Sequence, residues 1–255
     1  MSSSDEIKKR AGIYAADFVE SGMTIGLGTG STVFFLIEEL GKRVAQGLQL
    51  TVIPTSNKTE AMARQLNMSI ADLNHVDKLV LTIDGADEVD PQMQLIKGGG
   101  GALLQEKIVA AASEQLIISV DESKIVEHLG KFPLPVEVIQ FGYKQVERKI
   151  LSMGCSKVEL RQKENKPFIT DHKHYILDCY FEKINDAASL NIVLHNIPGV
   201  VETGLFVNMP RHDIKSRHCS CCVSYKCSAG IVFCLFFFRM VVVHGIKIIR
   251  LKEYG

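Results

Sequence analysis

The sequence predicts an α/β protein, with a Rossmann-like parallel-sheet domain over residues 1–135 and a small ferredoxin-like α+β domain over residues 136–207. Three observations carry that expectation. Short, largely apolar runs alternate with helix-like stretches as far as Val120, and such runs suit parallel strands covered on both faces. Pro133 and Pro135 then break the rhythm. Beyond them the order of elements becomes β-α-β-β-α-β, that of a split βαβ unit.

Taken in order, Asp5–Glu20 reads as a helix, and Met23–Gly26 is short and apolar. It leads into the glycine-rich stretch Gly26–Ser31. Thr32–Arg43 reads as a helix whose stripe of Phe34, Phe35, Leu36 and Leu40 belongs to the core. Leu50–Ile53 is a strand, followed by polar Thr55–Thr59 and a helix to Leu66. Leu79–Ile83 is a strand ending on an acidic loop, Ala102–Ala112 a helix, and Leu116–Val120 a buried strand. After the prolines, Val136–Gln140, Lys157–Leu160, Tyr175–Phe181 and Val200–Val207 read as strands. Tyr143–Met153 and Ala187–Asn196 read as helices, and a turn lies near Asn165–Pro167.

Lys plus Arg and Asp plus Glu both total 29, so the formal net charge is zero. A long nucleic-acid surface needs a basic excess, and none is present. The polar start, Met1–Arg10, has no apolar core and no acid-free Ser/Arg stretch, so the cytoplasm is the expected location. Cys155 and Cys179 read as free thiols of a reducing compartment.

Three stretches carry chemistry. Gly26-Leu27-Gly28-Thr29-Gly30-Ser31-Thr32 lies between a strand and a helix, where glycines admit a ligand and helix-start amides favour an anion. Its spacing is not that of a dinucleotide fingerprint, and Thr55-Ser56-Asn57 after the next strand offers no acid for a ribose hydroxyl. Asp84-Gly85-Ala86-Asp87-Glu88 follows a strand, at the sheet end where ligands bind, and concentrates carboxylates suited to proton transfer. A solvated turn or an Mg²⁺ site is the competing reading. In Lys97-Gly98-Gly99-Gly100-Gly101, four glycines sacrifice backbone entropy where N–H groups must wrap an anion. Glu106, early in the next helix, is placed to act as a general base. Lys97 lies beyond helical pairing distance of Glu106, and Ala110 cannot pair with it. Lys124 follows another strand end.

With those stretches in hand, the chain resembles the ribose-5-phosphate isomerase A family. The resemblance rests on Gly28–Thr32, Asp84–Glu88, Lys97–Gly101, Glu106-Lys107, Gly130–Val138 and Ile197–Val201, in the family's order and spacing, and covers residues 5 to about 209. It implies interconversion of ribose 5-phosphate and ribulose 5-phosphate with no cofactor and no metal. It implies that Thr29, Gly30, Ser31, Thr32, Asp84, Gly85, Ala86, Asp87, Lys97, Gly98, Gly99, Gly100 and Lys124 bind the sugar phosphate. It implies that Glu106 accepts the proton, and it suggests a homodimer or homotetramer. The residues then supply a mechanism: Asp84 and Asp87 serve ring opening and hydroxyl binding, Glu106 moves the proton between C2 and C1, and Lys97 with loop amides stabilises an enediolate. An acyl-CoA-transferase-like enzyme, with Glu106 as a nucleophile, is an alternative.

The resemblance ends after Met209. Residues 208–255 are expected as a divergent tail, open to disorder and forming no regular element. Cys219, Cys221, Cys222, Cys227 and Cys234 crowd there, and with His218 they make a poor zinc spacing. Ala229–Val243 is a weak candidate membrane anchor, too short and carrying Arg239. A missing last strand would leave a sheet edge bare. That motivates a second alternative, a catalytically impaired isomerase-derived chain.

Overall fold

The computed structural model describes residues 3–209, 238–243 and 246–251. The chain begins with α1 (Ser3–Ala16), β1 (Met23–Leu27), α2 (Ser31–Ala45), β2 (Leu50–Pro54), α3 (Asn57–Gln65), β3 (Ser69–Ile70) and β4 (Leu81–Asp84). Next come β5 (Glu88–Val89), β6 (Leu95–Ile96), α4 (Leu103–Ala111), β7 (Leu116–Asp121), β8 (Leu134–Val138), α5 (Tyr143–Leu151) and β9 (Lys157–Leu160). It continues through β10 (Gln162–Lys163), β11 (Lys166–Pro167), β12 (Tyr175–Tyr180), α6 (Ala187–His195), β13 (Val200–Thr203) and β14 (Leu205–Phe206). Two further strands are β15 (Phe238–Val243) and β16 (Ile246–Leu251). The chain divides into two compact units: Met1–Gly85 with Ile108–Ser123 and Met209–Gly255, and Ala86–Lys107 with Lys124–Asn208. Residues 86–107, expected within 1–135, thus group with the second unit.

The first unit is built on a seven-stranded sheet, order β15-β16-β7-β4-β1-β2-β3. All its pairings are parallel except β15 with β16. The strands are buried runs because helices cover them. Ile25, Leu27, Val52, Leu81, Ile83 and Ile117 form a core with Val33, Leu36, Ile37 and Leu40 of α2. Val33, Leu36, Ile37 and Leu40 fall at i, i+3, i+4 and i+7, one helical face. Phe34, expected in that stripe, is 42% exposed, since it lies off the face that positions 33, 36, 37 and 40 define. Because β1, β2 and β4 run parallel in register, Leu27, Pro54 and Ile83 lie side by side at the carboxyl ends of their strands.

The second unit carries a four-stranded antiparallel sheet, order β13-β8-β12-β9. Its core joins Val136, Val138 and Leu177 of the sheet to Val146 and Ile150 of α5 and Leu194 of α6. Cys155 and Cys179 are buried free thiols, and a hydrogen bond with Cys179 lowers the Cys155 thiol to about 7. A three-stranded sheet, β14-β6-β5, belongs to the same unit. The single strand expected over Val200–Val207 is broken at Gly204. There the chain leaves β8 for β6, and a Cβ would lie 2.4 Å from the Lys97 carbonyl oxygen.

The tail departs from expectation. β16 pairs parallel with β7 from Ile246↔Leu116 to Leu251↔Asp121, and β15 pairs antiparallel with β16. Val241-Val242-Val243 and Ile248-Ile249 are β-branched runs that suit strands, and β7 would otherwise offer an unpaired edge. The His218 and cysteine cluster, and residues 229–237 of the candidate anchor, lie outside the described residues. Among the described residues no helix is long and apolar enough to cross a membrane.

Candidate active site

In the first unit the acidic strand end and the first glycine loop are interlocked. Asp84 closes β4 and is 1% exposed. Its Oδ1 accepts the N–H of Thr29 at 3.1 Å and that of Gly85 at 2.7 Å. Gly28 is required for this approach, because a Cβ there would lie 2.0 Å from the same Oδ1. The Thr29 hydroxyl joins a cluster with Thr55 at 2.9 Å, Ser56 at 2.8 Å and Thr59 at 3.2 Å. Thr59 in turn donates to the Gly28 carbonyl at 2.8 Å. Ser56 also caps α3 by accepting the Thr59 N–H. The cluster clamps the loop from beneath. Gly30, at φ 135°, caps α2 without a side chain, and both it and Ser31 are exposed at the start of a 15-residue helix. Thr32 follows, half-buried, in the first turn of α2. Backbone amides there favour an anion.

In the second unit the Lys97–Gly101 loop folds back on itself. The Gly101 N–H donates to the Gly98 carbonyl at 2.9 Å, a turn in which Gly98 and Gly101 have φ of 100° and 83°. That reversal sets Lys97 Nζ 3.2 Å from Glu106 Oε2, although the two are nine residues apart. Both side chains are nearly excluded from solvent, at 3% and 4% exposure. The pairing that helical spacing disallows is therefore present, made by a glycine turn rather than by a helix face. Asp87 Oδ2 accepts the Gly99 N–H at 2.7 Å. Lys97 Nζ lies 5.4 Å from the centre of the buried Phe206 ring, and Lys107 Nζ lies 4.9 Å from it. Burial pushes the Lys107 ammonium down from its usual value, against the opposing pull of Glu202 at 2.6 Å.

A family model described as ribose 5-phosphate isomerase A (phosphoriboisomerase A) matches residues 51–217. A ribose-5-phosphate isomerase A of Bacillus mycoides is 56% identical over 204 residues, covering 80% of this chain and 92% of the relative. The chain belongs to the ribose 5-phosphate isomerase A family. The corresponding protein of Bacillus cereus is 59% identical over 204 residues, with the same coverage of 80% and 92%. A solved ribose 5-phosphate isomerase of Plasmodium falciparum superimposes with a TM-score of 0.78 at 41% identity, covering 81% of this chain and 92% of that one. A D-ribose-5-phosphate isomerase solved in complex with phospho-erythronic acid gives 0.77 at 40% identity, covering 81% and 92%.

Within this isomerase A chain the expected residues fall in two groups. Thr29, Gly30, Ser31, Thr32, Asp84 and Gly85 belong to the first unit, and Ala86, Asp87, Lys97, Gly98, Gly99, Gly100, Glu106 and Lys124 to the second. Lys124 ends a short 3₁₀ turn, 6.0 Å from the Phe132 ring centre. Glu88, third acid of its loop, serves the fold rather than the chemistry. Its carboxylate accepts the N–H groups of Gly130 at 2.7 Å and Phe132 at 2.6 Å. Sequence reasoning read Thr55–Thr59 only as a polar stretch with no acid for a ribose hydroxyl and missed its hydroxyl cluster, though Ser56 just before a helix was a readable N-cap signal. It also missed Phe206, which comes about a hundred residues after the loop it supports and carries no local mark.

Proposed function

We propose that this chain interconverts D-ribose 5-phosphate and D-ribulose 5-phosphate, with Glu106 as the proton-transferring base and Lys97 as its charge partner. The isomerase activity comes with the family; the division of labour among residues is our reading. The buried Lys97–Glu106 pair carries it. When the carboxylate takes the C2 proton of the open-chain aldose it loses its charge, while negative charge builds on the sugar oxygens. The ammonium, 3.2 Å from that carboxylate, then neutralises an enediolate instead of Glu106. Net charge is conserved through the step, so the buried site undergoes little reorganisation. Return of the proton to C1, with the O2 hydroxyl proton passing to O1, gives the ketose. We assign the start of α2, at exposed Gly30 and Ser31 and half-buried Thr32, to the phosphate. Asp84 and Asp87 are assigned to ring opening and to the sugar hydroxyls, and Lys124 to the substrate's charged end. The assembly is read as a cytoplasmic homodimer or homotetramer, to be measured by sedimentation.

The test is a direct assay of ribulose 5-phosphate formation by the purified chain and by E106Q. Glu106→Gln should lose at least about 10³-fold in kcat, as expected for removal of a general base, while still binding ribose 5-phosphate. Comparable turnover in the variant would overturn the assignment. Phosphorylated four-carbon aldonic acids supply a second arm. Their carboxylate is planar and anionic, as an enediolate is, and a relative was solved with phospho-erythronic acid. That compound should inhibit this chain in competition with ribose 5-phosphate; inhibition that excess substrate fails to relieve would count against the enediolate.

Neither alternative gains support. The family match is to isomerases rather than to acyl-CoA transferases. The impaired-chain reading presumed a bare sheet edge, and β16 lies along β7 there.

A further inference from the structure

We propose that Arg161, anchored by Asp178, is a positioning residue that sets the conformation of the Gly98–Gly100 backbone for catalysis. The proposal rests on the isomerase reading above. Four successive glycines have almost no conformational preference of their own, so something outside the loop must choose one. Arg161 Nη1 donates to the Gly98 carbonyl at 2.7 Å and to the Gly99 carbonyl at 3.2 Å. Its remaining donors are turned the other way. Nε donates to Asp178 Oδ2 at 2.9 Å, and Nη2 pairs with Asp178 Oδ1 in the second half of a bidentate fork. The two side chains are only 14% and 19% exposed. A planar guanidinium held on one edge by a carboxylate presents its other edge in a fixed direction.

The consequence for the loop is specific. The peptide joining Gly98 to Gly99 is gripped at both ends: its carbonyl takes Arg161 and its N–H goes to Asp87 Oδ2 at 2.7 Å. The next peptide has its carbonyl drawn to Arg161 as well. A planar trans peptide points its N–H opposite to its carbonyl, so the Gly100 N–H is aimed away from Arg161. Arg161 thereby fixes a backbone donor and the orientation of Asp87 together. The guanidinium does this from behind the loop, beside the packing of Phe168, whose ring would lie 2.5 Å from a Cβ on Gly101.

The test uses the full chain with R161M, R161K, R161A and D178N. In R161M, kcat for ribose 5-phosphate should fall about 10²-fold, the scale of a misplaced reacting geometry, with KM changed far less. R161K, a point charge without a fork, should not restore it, and D178N should fall between. Methylguanidinium added to R161A should recover part of the lost kcat. A merely structural role would lower thermal stability, yet would leave kcat per folded molecule intact and give no such rescue. R161M with kcat within about twofold of the parent overturns the proposal. If the parent itself forms no ribulose 5-phosphate, the isomerase reading fails and amide exchange decides the positioning role. Faster exchange at residues 98–101 in R161M supports it, and unchanged exchange overturns it.

Discussion

At the scale of single residues the site is a set of close approaches. Gly28 leaves room for the Asp84 carboxylate and Gly99 for that of Asp87, with a Cβ on Gly99 falling 2.6 Å from Asp87 Oδ1. Gly28→Ala should displace Asp84, break its bond to the Thr29 N–H and lower kcat, at a stability loss of about 1–3 kcal/mol typical of overpacking. Enzyme assay and denaturant midpoints on the same preparation check both. The Lys97–Glu106 pair gives a sharper expectation. Removing one member of a buried pair strands the other charge and destabilises by about 3–5 kcal/mol. Lys97→Met should therefore cost more stability than the double variant K97M/E106Q, in which no charge is left buried. A double-mutant cycle in urea measures this, and simple additivity would refute the stranded-charge account. Asp84, Asp87 and Lys97 were legible as chemistry-bearing types at strand ends, and Glu106 as one in the first turn of a helix. Their contacts were not, because a glycine turn reverses the chain without any residue that announces its direction.

At the scale of elements, helices and buried strands were legible wherever one period dominated. The apolar runs of β1, β2, β4 and β7 emerged close to their expected positions, and of the stripe expected on α2 Leu36 and Leu40 lie in the core while Phe34 does not. The two-residue strands β5, β6 and β14 were not, because two residues carry no periodicity and their pairing depends on partners far along the chain. The break between β13 and β14 at Gly204 has the same origin, since what demands glycine there is the carbonyl of Lys97. Helix α6 illustrates a local rule obeyed. Asp186 caps it, accepting the Ser189 N–H at 2.9 Å and the Ser189 hydroxyl at 2.6 Å. Those bonds hold the Asp186 carboxyl below its ordinary 3.8. A carboxyl depressed on folding stabilises the fold above its unfolded value, and that contribution fades as pH falls through the folded one. Asp186→Asn keeps a cap but removes the charge. The parent should thus be the more stable at neutral pH, with the difference shrinking below 3.8. Urea titrations across that range test it, and a gap that widens on acidification would contradict the assignment.

At the scale of the whole molecule, the alternation of strands and helices forecast the parallel sheet of the first unit. The β-α-β-β-α-β order forecast the antiparallel sheet of the second. The C-terminal stretch was the poor forecast, because a cysteine-rich, Phe-rich passage with no helical rhythm offered no pattern to pair with a strand more than a hundred residues earlier. Yet β16 runs beside β7 for six residues, Ile246 to Leu251, between β7 and β15. A strand with neighbours on both sides engages all of its N–H groups in ladders, so proline within it deletes a bond and obstructs a neighbour. Ile248→Pro should accordingly lower the thermal midpoint of the chain. Deletion of residues 210–255 should go further, baring the length of β7 as an unpaired edge and turning the protein toward association through that strand. Light scattering and melting curves on the parent, I248P and the truncated chain order the three. A truncated chain that stays monodisperse and melts with the parent would show that the sheet is complete at β7 and that the added strands bear none of its stability.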